Sequence, residues 1–139
     1  MPLVQGMVSS FKQQILLGEH DLDTDVLRIA LYTSSANLDA TTTVYTTVGE
    51  VTGAGYTAGG NTLTGSTVSL TGTKAFVDFN DSSWSNSTIT ARGALIYNSS
   101  KSNKAIAVMD FGSDKRSSGN TFTIQFPANS PDSAVIRIE

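Results

Sequence analysis

The sequence predicts a mainly β fold, either a β-sandwich or a jelly-roll-like barrel, that carries a short N-terminal helix. Several short stretches alternate apolar and polar residues and are separated by turns rich in Ser, Gly and Asn. The chain contains 18 threonines, which favour strands, and 18 serines, which favour turns. Helical spacing is visible in one segment near the N-terminus. We therefore expect a single β-rich domain over residues 1–139, with an N-terminal tail and helix at about 1–18.

Composition excludes several classes of protein. The net charge is −3, and the nine Lys and Arg residues are scattered, so we expect no direct binding to nucleic acid. The chain has no cysteine, which excludes disulfides and thiolate metal sites. No apolar run approaches the ~20 residues that span a bilayer, and the N-terminus does not have the pattern of a signal peptide. We expect no membrane association.

The N-terminal helix is predicted from the spacing of its apolar residues. These are Phe11, Ile15 and Leu16 or Leu17. Ser9 or Ser10 is the expected N-cap, and Gly18 stands where a C′ glycine belongs. A helix of two to three turns is too short to be stable alone. We expect its Phe11 face to dock on the chain's own sheet, with a neighbouring subunit as the alternative.

An acidic turn follows the helix, with three alternating aspartates in residues 21–25. An EF-hand counted from Asp21 would require Gly at position six and Glu at position twelve, but Val26 and Tyr32 occupy those positions. We therefore predict a solvated turn without metal. His20 is the single histidine, and we expect it to lie on the surface.

The clearest early strand is 26–32, and a long connection without clear structure follows it. A helical turn at 36–40 and an extended stretch at 41–47 both fit its first part. Its second part is the glycine-rich segment Gly49–Gly60, named the glycine loop below. Connections of this length are usually functional or interfacial.

The glycine loop contains a G-x-G-x-x-A pattern that begins at Gly53, with Asp78 at the distance expected of a dinucleotide fingerprint. That motif needs a helix N-terminus immediately after it to hold the pyrophosphate. Here Gly59, Gly60 and a Thr-rich strand-like segment follow, so we predict no cofactor. We expect Tyr56 to anchor the loop, and the glycines to allow close backbone approach, either within the chain or between subunits.

The second half of the chain predicts a series of strands. They are Leu63–Leu70, as one short strand or a pair with a kink at Gly65, then Ala75–Phe79, Thr88–Tyr97, Ala105–Phe111, Thr121–Phe126 and Ala134–Glu139. We predict a turn at 71–73, polar loops at 80–87 around Trp84 and at 112–120, and a turn at 129–132.

No catalytic site is predicted. Asp78 and Asp110 each lie near a strand end, and a sheet could bring them together for acid–base chemistry. Acidic residues at strand ends are common in β proteins, so we do not expect an enzyme.

Several motifs taken together resemble a family of small virion proteins of tailed bacteriophages. The motifs, in chain order, are 28–36 (RIALYTSSA), a Thr-rich run, 55–60 (GYTAGG), 91–98 (ARGALIYN), 110–112 (DFG) and 121–126 (TFTIQF). The resemblance covers residues from about Phe11 to Ile138.

This resemblance implies a β-rich fold, no catalysis and a role in the assembled particle. The first expectation is a capsid decoration, or cement, protein on the capsid exterior that binds between major capsid subunits. The alternative is a head–tail, tail or fibre component, or a host-surface binding module. We expect a homo-oligomer, with a trimer favoured, that is made in the host bacterial cytoplasm.

Interface candidates follow from the helix face, the glycine loop and the aromatic residues. They are Phe11, Ile15, Tyr45, Gly53, Gly55, Tyr56, Gly59 and Trp84. Under the host-binding alternative, exposed Trp84 and Tyr56 would hold a saccharide. No catalytic, cofactor-binding or metal-ligating residue is predicted.

Overall fold

The computed structural model describes residues 3–126 and 136–138, which form one short helix and two antiparallel sheets. This confirms the mainly β fold with a short N-terminal helix. The elements are β1 (Gly6–Met7), α1 (Ser9–Leu16), β2 (Leu27–Tyr32), β3 (Asn61–Thr62), β4 (Thr67–Thr71), β5 (Lys74–Asp78), β6 (Ser82–Asn98), β7 (Lys104–Ile124) and β8 (Ile136–Ile138). A 3-10 turn, Ser99–Lys101, connects β6 to β7.

The long β6–β7 hairpin forms the centre of the larger sheet, whose strand order is β1-β7-β6-β2-β3. The half of the hairpin next to its turn, residues 93–98 and 105–109, is buried on both faces, as the apolar residues 94–96 and 106–109 predict. Thr88 and Thr90, also in the predicted strand 88–97, are exposed. The predicted loops at 80–87 and 112–120 are wrong, because most of both segments lies within β6 and β7. The two polar segments pair with each other, as at Ser87 opposite Asn120, and this pairing satisfies their backbone hydrogen-bonding groups.

A bulge interrupts the hairpin near its middle. Gly93 is opposite Asp110 and Ala91 is opposite Lys115, so Arg92 alone faces the four residues 111–114. Bulges of this kind bend a strand and increase its twist. Beyond the bulge the hairpin continues as a two-stranded ribbon.

The second sheet has the order β4-β5-β8. The predicted turn at 71–73 closes the β4–β5 hairpin, with Thr71 opposite Lys74. Val77 and Ile136 of this sheet belong to the same buried core as Ile29 and Leu31 of the larger sheet. The predicted turn at 129–132 and residues 134, 135 and 139 of the predicted strand Ala134–Glu139 lie outside the described residues.

Helix α1 docks on the chain's own sheet, as expected. Phe11 is buried in the core, and the Val8 N–H donates to the Ile106 carbonyl oxygen at 2.9 Å. The predicted N-cap is wrong: Val8 occupies that position and no side chain caps the helix. Leu16 does not contribute to the apolar face either, since it is 88% exposed.

The connection after β2 lies against the β6–β7 hairpin. The Tyr45 N–H donates to the Asn103 carbonyl oxygen, and the Ala105 N–H donates to that of Thr43. This pairing bears out the extended prediction for residues 43–45 of the segment 41–47, whereas Thr41 lies in a turn. Residues 36–40 form no helix.

His20 is buried, which corrects the expectation of a surface residue. The residue is 7% exposed, and its ring packs against Phe11, with the ring centroids 5.1 Å apart. Nε2 lies 2.8 Å from Gln14 Oε1, and Nδ1 lies 2.9 Å from the amide nitrogen of Asn98. Because an amide nitrogen only donates, Nδ1 accepts and Nε2 carries the proton in this network.

Candidate functional site

The glycine loop is an excursion from a strand that pairs with β2. Tyr32 of β2 is opposite Glu50, and Arg28 is opposite Thr62. Residues 28 and 32 of β2 are four positions apart, whereas their partners 62 and 50 are twelve positions apart. The facing chain therefore has eight extra residues, which form the loop. The facing chain thus pairs with both ends of β2 and leaves it between them.

Glu50 holds the glycine loop in place by accepting three hydrogen bonds. The side chain is buried, and its Oε2 atom accepts hydrogen bonds from the Tyr56 hydroxyl at 2.5 Å and the Gly59 N–H at 2.8 Å. Its Oε1 atom accepts one from the Tyr45 hydroxyl at 2.6 Å. One carboxylate therefore holds the chain before the loop and two points within it. Hydrogen bonds to a charged acceptor are stronger than neutral ones.

Tyr56 also supplies a hydrogen-bond acceptor to β2 where the glycine loop leaves that strand without a pairing partner. Its hydroxyl oxygen accepts the backbone N–H of Leu31 at 3.0 Å. A strand residue would normally supply that acceptor, and a buried N–H without one is costly. The expectation that Tyr56 anchors the loop therefore has a specific geometric basis.

The far end of the loop is held through its carbonyl groups. The Tyr97 hydroxyl donates to the Gly59 oxygen at 2.6 Å, and Arg28 donates through Nη2 to the Gly60 oxygen, also at 2.6 Å. The Tyr97 ring stacks on Tyr45, with centroids 4.7 Å apart. We refer to Arg28, Tyr45, Glu50, Tyr56, Gly59 and Tyr97 as the Glu50 network.

The electrostatics of the Glu50 network keep its hydroxyl groups as donors. Burial raises the pKa of Tyr56 and of Tyr45, and the hydrogen bond from each to Glu50 raises it further. Burial also raises the pKa of Tyr32 and of Tyr97, and the charge of Glu50 adds to both shifts. All four tyrosines of the chain therefore stay protonated beside a carboxylate.

Glycine is required where the loop touches the sheet. Gly60 has φ +76°, and a Cβ there would overlap the carbonyl oxygen of Ile29. Gly55 has φ +82°, and a Cβ would lie 2.7 Å from Ser87 Cα. Close backbone approach, predicted from the glycine content, thus occurs within the chain.

The crest of the loop, residues 52–58, faces solvent. Except for the half-buried Tyr56, every residue of the crest is exposed, and none carries a charge. The Thr88 N–H donates to the Ala54 carbonyl oxygen at 2.9 Å, so the crest is also fixed to the β6–β7 ribbon. The result is a held surface of small, uncharged residues.

Seven of the eight predicted interface residues lie in three places. Tyr45, Tyr56 and Gly59 meet at Glu50, and Gly53 and Gly55 lie on the exposed crest. Phe11 is in the core beside His20, with Ile15 half-buried near it.

Trp84 lies beneath the glycine loop. It is 4% exposed and packs between Tyr56 and Phe122. Its ring is therefore not on the surface, where stacking on a saccharide would require it to be.

Sequence reasoning did not identify Glu50, Arg28 or Tyr97 as members of a network. One signal for Glu50 is present: no other charged residue occurs between Asp39 and Lys74. A single carboxylate in such a stretch, with tyrosines on both sides of it, favours a buried acceptor. No comparable signal identifies Arg28 or Tyr97, because their role depends on strand pairing.

The two aspartates considered for catalysis do not form a pair. Asp78 is in the smaller sheet, opposite Thr67, whereas Asp110 is in the larger one. The Gly112 N–H, followed by Arg92, lowers the pKa of Asp110, which is the opposite of what a general acid needs.

The acidic turn is stabilised by its own hydrogen bonds. Asp21 Oδ1 accepts the N–H groups of Asp23 and Thr24, and Asp25 accepts from Asn98 at 2.8 Å. Within residues 3–126 and 136–138, no group of three or more His, Asp or Glu side chains is arranged to hold a metal ion. The same residues contain no helix long and apolar enough to cross a membrane.

Comparison of the chain with models of known families, with curated proteins and with solved structures gives no match.

Proposed function

We propose that the chain is a non-enzymatic structural protein of a tailed-bacteriophage particle. In this proposal it decorates the capsid exterior by binding between major capsid subunits. The sequence motifs that resemble small virion proteins suggest this class. The observation that carries the proposal is the glycine loop, an exposed and uncharged crest held in place by the buried Glu50 network.

The loop has the physical properties of a contact surface. Charged residues are depleted at the centres of protein interfaces, and the crest has none. A segment already held in one conformation loses little entropy when it binds, so more of the contact energy appears as affinity. Small side chains also let a partner approach the backbone closely.

A decoration protein stabilises a shell by mass action, because it binds the assembled form in preference to free subunits. Many weak contacts acting together on one particle would give strong retention. A decoration protein therefore needs a rigid contact surface and no catalytic site.

The location is tested by quantitative mass spectrometry of particles purified from a lysate of the phage that encodes the chain. A capsid decoration protein should be present in copies on the order of hundreds per particle. About a dozen copies or fewer would instead assign the chain to the neck, tail or fibre. Absence from purified particles would overturn the virion proposal.

The role of the loop is tested by Ala54→Lys, which places a charge on the exposed crest. We expect this variant to fold with unchanged thermal stability and to bind undecorated capsids at least about tenfold more weakly. Ser113→Lys is the matched control, since Ser113 is exposed on the β7 bulge opposite Arg92, whereas the loop contacts β6 at residues 86–88. Equal binding by both variants would contradict the assignment of the loop as the contact surface.

A further inference from the structure

Strand β4 forms an edge of the smaller sheet and has none of the usual protection of an edge. In the described part of the chain it pairs with β5 alone. Its sequence, Thr-Val-Ser-Leu-Thr, contains no charge and no proline, and all of it except the half-buried Ser69 is exposed. Natural edge strands usually carry Lys, Pro or a bulge that prevents pairing with another chain.

The exposed edge of β4 presents backbone N–H and C=O groups that could pair with another strand. In a hairpin closed by a two-residue loop, the closing residues exchange hydrogen bonds, and every second pair after them does the same. The closing pair here is Thr71–Lys74, and Gly72 with φ +61° suits the first position of that turn. The N–H and C=O groups of Val68 and Leu70 therefore point away from β5, toward the open edge.

The side chains of β4 are self-complementary. Read from either end, the strand has the order Thr, apolar, Ser, apolar, Thr. If a second β4 lies antiparallel with Ser69 opposite Ser69, each Val68 is opposite a Leu70. A two-fold contact requires one surface to match itself in this way, and a strand from an unrelated partner has no such requirement.

The same pairing would extend an apolar surface. Register places Val68 beside Val77 and Leu70 beside Ala75 on one face of the smaller sheet. Val77 is buried in the core, but Val68 is 51% and Leu70 is 74% exposed. Cross-strand apolar pairs stabilise antiparallel sheets, and a second β4 would supply both missing partners.

We propose that β4 is a self-association edge that pairs antiparallel, about Ser69, with β4 of a second copy of this chain. The two small sheets would then form one six-stranded sheet with the order β8-β5-β4-β4-β5-β8. About four backbone hydrogen bonds would join the copies, through Val68 and Leu70 of each. The pairing is a property of the isolated chain and does not depend on the proposed role in a virion.

The contact is small compared with the roughly 1,000 Å² of a stable interface, so the dimer is weak in dilute solution. Copies held side by side on a larger surface would pair far more completely, because their effective concentration is high. The experiment must therefore trap a weak dimer.

A disulfide between two copies can trap the dimer. Because the chain has no cysteine, a single introduced cysteine can cross-link only to the same position of a second copy. In the proposed register the two Ser69 Cα atoms are about 4.5 Å apart, within the range for a disulfide. Ser69→Cys should therefore form a covalent dimer under mild oxidation. Thr67→Cys is the matched control, since the two copies of residue 67 are about 13 Å apart in the same register.

We expect Ser69→Cys to cross-link at least about tenfold faster than Thr67→Cys, as measured on a non-reducing denaturing gel. Random collision would give the opposite order, because Thr67 is more exposed than Ser69. Equal rates, faster cross-linking at position 67, or no dimer from either variant would overturn the proposal.

A second test avoids any change at the centre of the strand. Leu70→Lys should raise the dimer dissociation constant at least about tenfold in sedimentation equilibrium, because it removes both apolar pairs and charges the edge. Leu16→Lys, which charges an exposed leucine at the end of α1, should leave the dimer unchanged. Equal association of both variants, with circular dichroism showing both folded, would also overturn the proposal.

Discussion

The hydroxyl of Tyr56 donates a hydrogen bond of 2.5 Å to the buried carboxylate of Glu50. The same oxygen accepts the N–H of Leu31, which has no strand partner at that point. One side chain therefore joins the glycine loop, its anchor and the edge of β2.

Tyr56→Phe should reduce the free energy of unfolding by about 1–3 kcal/mol. It removes the acceptor of the Leu31 N–H and one of the two donors to Glu50 Oε2. Chemical denaturation of the isolated chain measures this. A loss no larger than that of a surface substitution would show that the hydroxyl does not anchor the loop.

A double-mutant cycle isolates the contact itself. Tyr56→Phe combined with Glu50→Gln should show a coupling of about 0.5–3 kcal/mol, because both changes disrupt the same hydrogen bond. Tyr56→Phe combined with Asp114→Asn should be additive, since Asp114 is exposed on the β7 bulge and shares no partner with Tyr56. Additivity in the first pair would contradict the coupling.

Gly60→Ala should prevent folding or cost more than about 4 kcal/mol, because its Cβ would overlap the Ile29 carbonyl as well as adopt an unfavourable φ. Gly72→Ala separates the two effects, since Gly72 also has positive φ but has open space around it. That control should cost only about 1–2 kcal/mol. Thermal unfolding of both variants tests the difference, and similar losses would rule out the steric explanation.

Alkaline stability should depend on the tyrosines. The folded pKa of each is raised above its ordinary value of 10.0, so their contribution is complete below about pH 10 and is lost as pH rises further. Tyrosinate absorbance should therefore appear together with the loss of far-ultraviolet circular dichroism. Tyrosinate formation in a chain that is still folded would contradict this prediction.

Mild acid should weaken the region around His20. Burial, followed by the charge of Lys104, lowers the folded pKa of this histidine below its ordinary value of 6.5. Its contribution is therefore present above about pH 6.5 and is lost as pH falls through the lower folded pKa. Thermal unfolding should show a lower midpoint at about pH 5 than at pH 7 in the natural chain, and a smaller change in His20→Gln. An equal change in both would exclude His20 as the cause.

Part of this fold could be predicted because local patterns agree with the final environment. The alternation in 27–32 and the apolar residues at 94–96 and 105–109 correctly predicted buried strands. The glycine content of 49–60 correctly predicted close backbone contact. The parts of the ribbon at 82–87 and 115–120 were not predicted as strand, because they are polar and satisfy their hydrogen bonds across a long hairpin.

By itself, the sequence determined a small, cysteine-free β domain with a short helix and a shaped glycine loop, because spacing and backbone freedom are local properties. Only the tertiary structure decided the use of that loop. Glu50 becomes a buried anchor because the loop returns to β2 and brings the hydroxyl groups of Tyr45 and Tyr56 to one carboxylate. The burial of His20 against Phe11 and Asn98 was decided in the same way. A contact between distant segments, such as that of His20 with Asn98, sets the environment of a polar side chain, and no local pattern encodes such a pair.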